Sequence, residues 1–155
     1  MKQTKKGGQW YFGMKAHVGV DSKTKMIHSV VATGANQADA KVLPLLLHGE
    51  ERQVWGDQGY VGQTEAIRAV APQARDCINR RCLYHGRRNL EEFVRNREKS
   101  KVRSKVEHVF RVMKVQFGFV KVRYRGLRKN GTRLFVTCAL VNLFLARQKL
   151  RMAFA

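Results

Sequence analysis

Residues 10–20 read WYFGMKAHVGV, and the alternation of side chains along this stretch decides the fold of the amino-terminal part. An extended chain with this pattern places Trp10, Phe12 and every second residue up to Val20 on one face. Polar residues at 21–25 predict a turn, and residues 26–33 have the composition of a second strand. The two stretches therefore predict an antiparallel β-hairpin.

Downstream of the hairpin, short elements alternate before a long helix. The patterns predict short strands at 53–56 and 76–79 and helices at about 38–47, 64–70, 91–114 and 132–151. We expect a basic loop at 80–89 and a partly extended connector at 117–130, with a turn at Asn130-Gly131. This order predicts one α/β domain over residues 1–155, with a mixed sheet and flanking helices.

The charge of the chain narrows the classes of function. Its 155 residues include 31 Lys and Arg against 11 Asp and Glu, a net charge of +20. Residues 101–155 hold 14 basic residues and a single acid, Glu107. A compact domain with such self-repulsion is expected to work beside a polyanion. The charge therefore favours nucleic acid as the partner and leaves enzymes, non-catalytic DNA-binding proteins and RNA-associated proteins open.

No stretch of the sequence is typical of export or of a membrane span. Residues 1–9 are polar and basic, without the apolar run of a signal peptide. The longest apolar-rich stretch, residues 134–146, is too short to cross a bilayer. An odd number of cysteines without an export signal favours reduced thiols. We therefore predict a cytoplasmic protein with no membrane partner.

Two carboxylates stand out from the residues alone. Asp57 ends a short apolar strand before a glycine-bounded loop, where α/β folds place ligand-binding residues. Glu107 shares a helical stripe with Arg103 and Lys114, which lie within about 60° of one another around the helix. A turn cap is the alternative role for Asp57, and a salt bridge to Arg103 is the alternative role for Glu107. Both alternatives stay open at this point.

Two segments combine cations with aromatic rings, a mixture typical of contacts with phosphates and bases. The first segment spans residues 84–88 and the second spans residues 121–125. With two arginines of the basic loop before the first segment, the candidate DNA-binding residues are Arg80, Arg81, Arg87, Arg88, Lys121, Arg123 and Arg125. The alternative is a solvated surface run, although so many uncompensated charges favour an anionic partner.

Five strings, in order along nearly the whole chain, resemble the C-terminal part of bacterial insertion-sequence transposases of the DDE class. The resemblance is to the group around insertion sequences four and five. The strings are GGQWYFGMKAHVGVDSKTKMIHSV, GANQADAKVLPLLLHGEE, WGDQGYVG, RSKVEHVFRVMKVQFGFVKVRYRGLRKN and LFVTCALVNLFLARQKL. The resemblance implies a ribonuclease-H-like core that cuts and joins the double-stranded DNA ends of a mobile element.

The resemblance also implies roles for individual residues. Three carboxylates of such transposases hold two magnesium ions, for which manganese is a substitute; Asp57 would be the second and Glu107 the third. Arg103, Glu107 and Lys114 match the family's Arg-x3-Glu-x6-Lys signature, although Ser100 stands where many relatives have Tyr. Two ions can activate a water or a 3′-hydroxyl and stabilise the leaving oxygen of a phosphodiester. Magnesium prefers hard oxygen ligands, which explains the carboxylates.

The first carboxylate of the family has no match in this sequence. Only nine residues precede Trp10 and none is acidic, while Asp21 and Asp39 match no catalytic position. The resemblance therefore implies a domain without its first strand, inactive alone. A truncated frame, a remnant and a protein completed by an upstream transposase half are the alternatives. A missing strand would also leave the edge of the hairpin prone to self-association.

Overall fold

The chain has a mixed α/β fold with small sheets and flanking helices, which confirms the predicted fold class. The computed structural model describes residues 1–84 and 87–153. These divide into a hairpin unit, residues 1–37 and 106–155, and an Asp57 unit, residues 38–105. The elements in chain order are β1 (Lys2–Lys6), β2 (Gln9–Val20), β3 (Ile27–Gly34), α1 (Asp39–Val42), β4 (Gln53–Val54), α2 (Thr64–Val70), β5 (Arg75–Asp76), β6 (Leu83–Tyr84), β7 (Arg87–Arg88), α3 (Leu90–Val115) and α4 (Leu127–Ala153).

The sheet of the hairpin unit contains the hairpin predicted from the sequence. Strand β2 pairs antiparallel with β3 over Met14–Val20, and with β1 over Gln9–Gly13. Each residue of β2 thus has one strand neighbour among the described residues. The alternating face holds only in part: Met14 to Val20 pack on the core, but Trp10 and Phe12 are each 64% exposed. Strand β1 was not predicted, because its sequence, KQTKK, has no apolar alternation.

Helices α3 and α4 close the core of the hairpin unit. Val109, Val112 and Met113 of α3 pack with Leu134, Cys138 and Val141 of α4 and with Ile27 of β3. The spacing of these residues repeats every three or four positions, as one apolar helix face requires. The side chain of Asn142 also clamps β3: it accepts from the Ile27 N–H and donates to the Ile27 carbonyl, both at 2.8 Å.

The predicted start of the last helix is wrong. Helix α4 begins at Leu127 and runs through Asn130-Gly131, where we expected a turn. The Asn130 side chain donates to the Gly126 carbonyl, and a Cβ at Gly131 would lie 3.5 Å from the Ala32 Cβ. These residues therefore serve hydrogen bonding and close packing. The expected extended part of the connector is also wrong, since residues 116–126 form turns and bends without a strand.

The Asp57 unit is built on a smaller core. Leu43, Val54, Ile67 and Ile78 form its main cluster of buried apolar residues, and β4 pairs parallel with β5. Helix α2 has the predicted bounds. The helix expected over 38–47 instead breaks after Val42 into a 3-10 turn, Leu43–Leu46, because Pro44 has no backbone N–H to donate to the carbonyl four residues before it.

The loop expected over residues 80–89 is not entirely irregular. Strands β6 and β7 form a two-residue antiparallel ladder within it. His85 and Gly86, which lie between these strands in the predicted DNA-contact segment, fall outside the described residues. Among the helices of the described part, none combines the length and the apolar character needed to cross a membrane.

Candidate active site

Asp57 lies where the chain leaves the parallel β4–β5 pair. Val54 of β4 is buried, and the ladder continues beyond the strand, because the Asn79 N–H donates to the Gly56 carbonyl at 3.0 Å. A Cβ at Gly56 would lie 3.0 Å from Cδ2 of Tyr60, so this glycine permits the close approach of the ring. The short strand, the glycine and the ring together fix where the Asp57 side chain begins.

The Asp57 carboxylate meets both a backbone donor and a cation. Its Oδ1 accepts from the Gly59 N–H at 2.9 Å, so Asp57 caps the 3-10 turn Gln58–Tyr60. Its Oδ2 lies 4.0 Å from Nη1 of Arg103, and the side chain of Asp57 is 52% exposed. The capping role considered from the sequence is therefore present, and it leaves half of the carboxylate surface open to solvent.

A second carboxylate of the same unit lies near Asp57. A Cβ at Gly59 would be 3.0 Å from Oδ1 of Asp57 and 3.9 Å from Oδ2 of Asp39, so the two oxygens are no farther apart than these distances combined. Burial, together with the negative charges of Asp39 and Asp57, raises the pKa of Tyr60 to about 12. The Tyr60 hydroxyl therefore keeps its proton at neutral pH. From the sequence, Asp39 matched no catalytic position of the family and lay only near the start of the helix predicted over 38–47.

Polar side chains of α3 hold the neighbouring segment of the Asp57 unit. Asn96 accepts from the Arg80 N–H at 3.0 Å and donates to the Arg80 carbonyl at 2.6 Å. Lys99 donates to the Ile78 carbonyl, and Ser100 accepts from the Asn79 side chain, both at 3.0 Å. These residues precede Arg103 at helical spacing, so the same face of α3 that binds this segment presents Arg103 to Asp57.

This anchoring was not predicted from the sequence. Asn96, Lys99 and Ser100 repeat at positions i, i+3 and i+4, but the periodicity argument followed apolar residues and ignored buried polar ones. Ser100, which we noted only as a departure from the family signature, accepts a hydrogen bond in this contact. The polar residues at helical spacing before Arg103 were the signal in the sequence that could have indicated this contact.

Glu107 and Lys114 belong to the hairpin unit. Both are exposed on α3, and the buried residues Val109, Val112 and Met113 lie between them in sequence. Asp57 and Arg103 are brought together within the Asp57 unit, whereas the convergence of Asp57 with Glu107 stays a prediction. In the part of the chain that the structure describes, no group of three or more His, Cys, Asp and Glu side chains is arranged to hold a metal ion.

The candidate DNA-binding cations all lie at the surface. The exposed residues of this set are Arg80, Arg81, Arg87, Arg88, Lys121, Arg123 and Arg125. The Arg88 guanidinium lies 4.9 Å from the centre of the Phe93 ring, a cation–π contact that orients it. The side chains of Lys121, Arg123 and Arg125 form no hydrogen bond or ion pair with the described residues. Charges in such positions can bind an external anion without first breaking an internal contact.

Comparison with known proteins gives the family. The profile of the transposase DDE domain matches residues 1–143, which is most of the chain. No solved structure matches it. The match includes Asp57, Arg103, Glu107 and the long helix that carries the last two. The chain therefore belongs to the transposase DDE domain family, whose members are polynucleotidyl transferases.

Proposed function

We propose that this chain, joined to an upstream transposase segment that carries the first carboxylate, cuts mobile-element DNA at its ends and joins the ends to a target, using Asp57 and Glu107 as metal-binding carboxylates. One observation carries the proposal. The Asp57 carboxylate lies 4.0 Å from the guanidinium of Arg103, although 46 residues separate them in the sequence. The Asp57 loop and the first residue of the Arg-x3-Glu-x6-Lys signature thus meet in one compact unit.

The donor chemistry fits a divalent cation. Magnesium binds oxygen ligands and commonly takes one or two protein carboxylates, keeping several waters. Asp57 offers a half-exposed carboxylate, one oxygen of which is oriented by the Gly59 N–H, and Glu107 offers an exposed one. When bound, magnesium or manganese would polarise a phosphodiester oxygen and lower the pKa of an attacking water or hydroxyl.

The cations supply the other half of the chemistry. Arg103 beside Asp57 would offset the repulsion between the carboxylate and a DNA phosphate. Lys114 and the exposed cations of residues 80–88 and 121–125 would bind phosphates along the duplex. Because each neutralised phosphate releases counterions, DNA affinity should fall with salt with a log–log slope of about −0.9 per phosphate. A slope near zero would contradict this role.

The test is metal-dependent nicking of the element's own end sequence. Since no acidic residue here matches the family's first carboxylate, the assay is run with the chain alone and with the adjacent upstream coding segment joined to it. We expect nicking with magnesium or manganese in the joined form, and its loss in Asp57→Asn and in Glu107→Gln. Arg97→Gln, an exposed change on the same helix, is the control and should leave nicking intact.

The outcomes separate the enzyme from a non-catalytic DNA-binding protein. Such a protein would bind DNA with the same salt dependence but would need neither carboxylate. Nicking that survives both Asp57→Asn and Glu107→Gln would overturn the assigned residues. Absence of nicking in both forms, with DNA binding intact, would favour the non-catalytic alternative.

A further inference from the structure

The connector between α3 and α4 has a fixed backbone and free side chains. Its residues from Val120 to Gly126 are all exposed, and the segment lies between two glycines with left-handed backbone angles, Gly118 at φ 59° and Gly126 at φ 85°. L side chains rarely adopt such angles, so these two positions favour glycine. The segment Gly118–Gly126, here called the connector loop, therefore turns sharply at both ends.

Two side chains of α4 hold this loop by its backbone. Asn130, which is 1% exposed, accepts from the N–H groups of Arg123 and Tyr124 at 3.2 Å. It donates to the carbonyls of Tyr124 and Gly126 at 2.6 and 2.7 Å, so its amide uses both donors and accepts twice. Arg133 donates to the carbonyls of Lys121 and Gly118 at 2.8 and 3.1 Å.

Tyr124 is the residue that this arrangement fixes most firmly. Its N–H and its carbonyl both bind Asn130, yet the residue is 51% exposed and its hydroxyl forms no hydrogen bond with the described residues. Arg123 and Arg125 flank it, also exposed and without an ion pair in the described part. An aromatic ring between two cations, on a backbone held in place, suits a ligand that has both phosphates and flat rings.

We propose that Tyr124 stacks on an unpaired base of the DNA substrate, with Asn130 as the residue that positions it. The inference rests on the proposed function for the identity of the ligand. Base–aromatic stacking contributes about 1–3 kcal/mol per base and is open only to bases outside the duplex stack. Because the backbone is already ordered by Asn130 and Arg133, binding loses less conformational entropy than it would for a free loop.

The test compares two probes without any metal. One is a blunt duplex, and the other is the same duplex with unpaired thymines at one end, both in EDTA at one salt concentration. We expect wild type to prefer the overhang probe, and Tyr124→Ala to bind it about fivefold or more weakly while binding the blunt probe as before. Tyr124→Phe keeps the ring and should retain the preference. Tyr11→Ala, which removes another half-exposed tyrosine, should retain it too.

The positioning role of Asn130 is tested by the preference between the two probes, a measurement that does not report stability alone. Asn130→Ala should lose the overhang preference, but in the Tyr124→Ala background it should cause no further loss, because the two residues act on one contact. Asn142→Ala removes the same kind of clamp from the same helix and should keep the preference. If Asn130→Ala does not fold, Tyr124→Ala and Tyr124→Phe still decide the central point.

Several outcomes would overturn the inference. These are equal binding of both probes by wild type, no effect of Tyr124→Ala, an equal effect of Tyr11→Ala, and failure of wild type to bind either probe. The result is separable from the proposed function. Nicking that requires Asp57 and Glu107 but is unchanged in Tyr124→Ala would contradict this inference alone. A preference for the overhang probe that depends on Tyr124, in the absence of any nicking, would contradict the proposed enzymatic function alone.

Discussion

The two compact units are stabilised in different ways. The hairpin unit has a core of seven buried apolar residues, in which two long helices pack against a strand. The main cluster of buried apolar residues in the Asp57 unit has four members, and polar side chains of α3 bind backbone groups in the same unit. Close packing of apolar side chains holds a whole helix in place, whereas a hydrogen bond orients one backbone group in one direction. The candidate site thus lies in the unit with the smaller apolar cluster, where polar side chains of α3 hold the neighbouring backbone.

Three asparagines sharpen this comparison. Asn96, Asn130 and Asn142 each bind the N–H and the carbonyl of one residue outside their own helix, which are Arg80, Tyr124 and Ile27 respectively. Ile27 is buried, so the Asn142 clamp supplements a core that apolar contacts already form. Arg80 and Tyr124 are exposed, so the other two clamps fix surface residues that apolar packing does not hold.

The largest expected effect on stability is in the hairpin core. Leu134 is fully buried, so Leu134→Ala should lower the free energy of unfolding of the hairpin unit by about 2–5 kcal/mol. Amide hydrogen exchange, which reports local opening, measures this unit separately from the Asp57 unit. Leu143→Ala on the same helix, where the side chain is 59% exposed, is the matched control and should change exchange little.

The asparagine clamps give the next largest effect. Asn96 is 9% exposed, and its removal leaves the Arg80 N–H without this partner and the Arg80 carbonyl with only the 3.4 Å bond from the Gln58 amide. Asn142→Ala removes the same kind of partner from the backbone of Ile27, which is buried. Each variant should lower the free energy of unfolding of its own unit by about 1–3 kcal/mol. Hydrogen exchange in the two units measures both losses. No measurable loss in either variant would contradict the role of that clamp.

The Asp57–Arg103 pair should matter little for stability. Its side chains are 52% and 34% exposed, so water and salt screen the interaction. Arg103→Ala should change the unfolding free energy of the Asp57 unit by no more than about 1 kcal/mol. The neighbouring surface variant Arg97→Ala serves as the control. A loss as large as that of Asn96→Ala would mean that the pair is structural and would weaken its link to function.

The smallest expected effect concerns alkaline pH. The pKa of Tyr60 is raised to about 12 from a reference value of 10.0, so the folded form holds this proton more firmly than the unfolded form does. The contribution of Tyr60 to stability is therefore constant below about pH 10 and falls as the pH rises toward 12. Wild type should lose more stability than Tyr60→Phe in thermal unfolding between these values. Equal losses of stability in wild type and Tyr60→Phe over this pH range would contradict the burial of Tyr60 and its carboxylate neighbours.

Much of the fold could be predicted from the sequence. The hairpin, helix α2 and the bounds of α3 follow from period-two and helical patterns of apolar residues, because core packing there decides the structure. The start of α4 could not be predicted, since Asn130-Gly131 is a common turn sequence. Its helical state depends on a side chain that binds loop carbonyls and on contact with Ala32. Strand β1 was missed because only its pairing with β2 makes it a strand.

The candidate site was predictable in its residues but only partly in its surroundings. The resemblance identified Asp57, Arg103 and Glu107, and the structure brings the first two together. The nearness of Asp39 to Asp57 depends on how α1 packs beside the turn after β4, which no local pattern encodes. The hydrogen bonds of Asn96 could not be predicted either, because the sequence of a charged helix does not show whether an asparagine side chain is buried or exposed.

The central claim, that Asp57 and Glu107 bind the same divalent ions, can be tested without relying on catalysis. Iron(II) replaces magnesium at many carboxylate sites and, with ascorbate and peroxide, generates radicals that cleave the nearby backbone. With the chain bound to a DNA end, we expect cuts beside both residues, suppressed by excess magnesium and lost in Asp57→Asn and in Glu107→Gln. Cuts beside only one residue, or cuts near Asp57 that persist in Glu107→Gln, would contradict the claim.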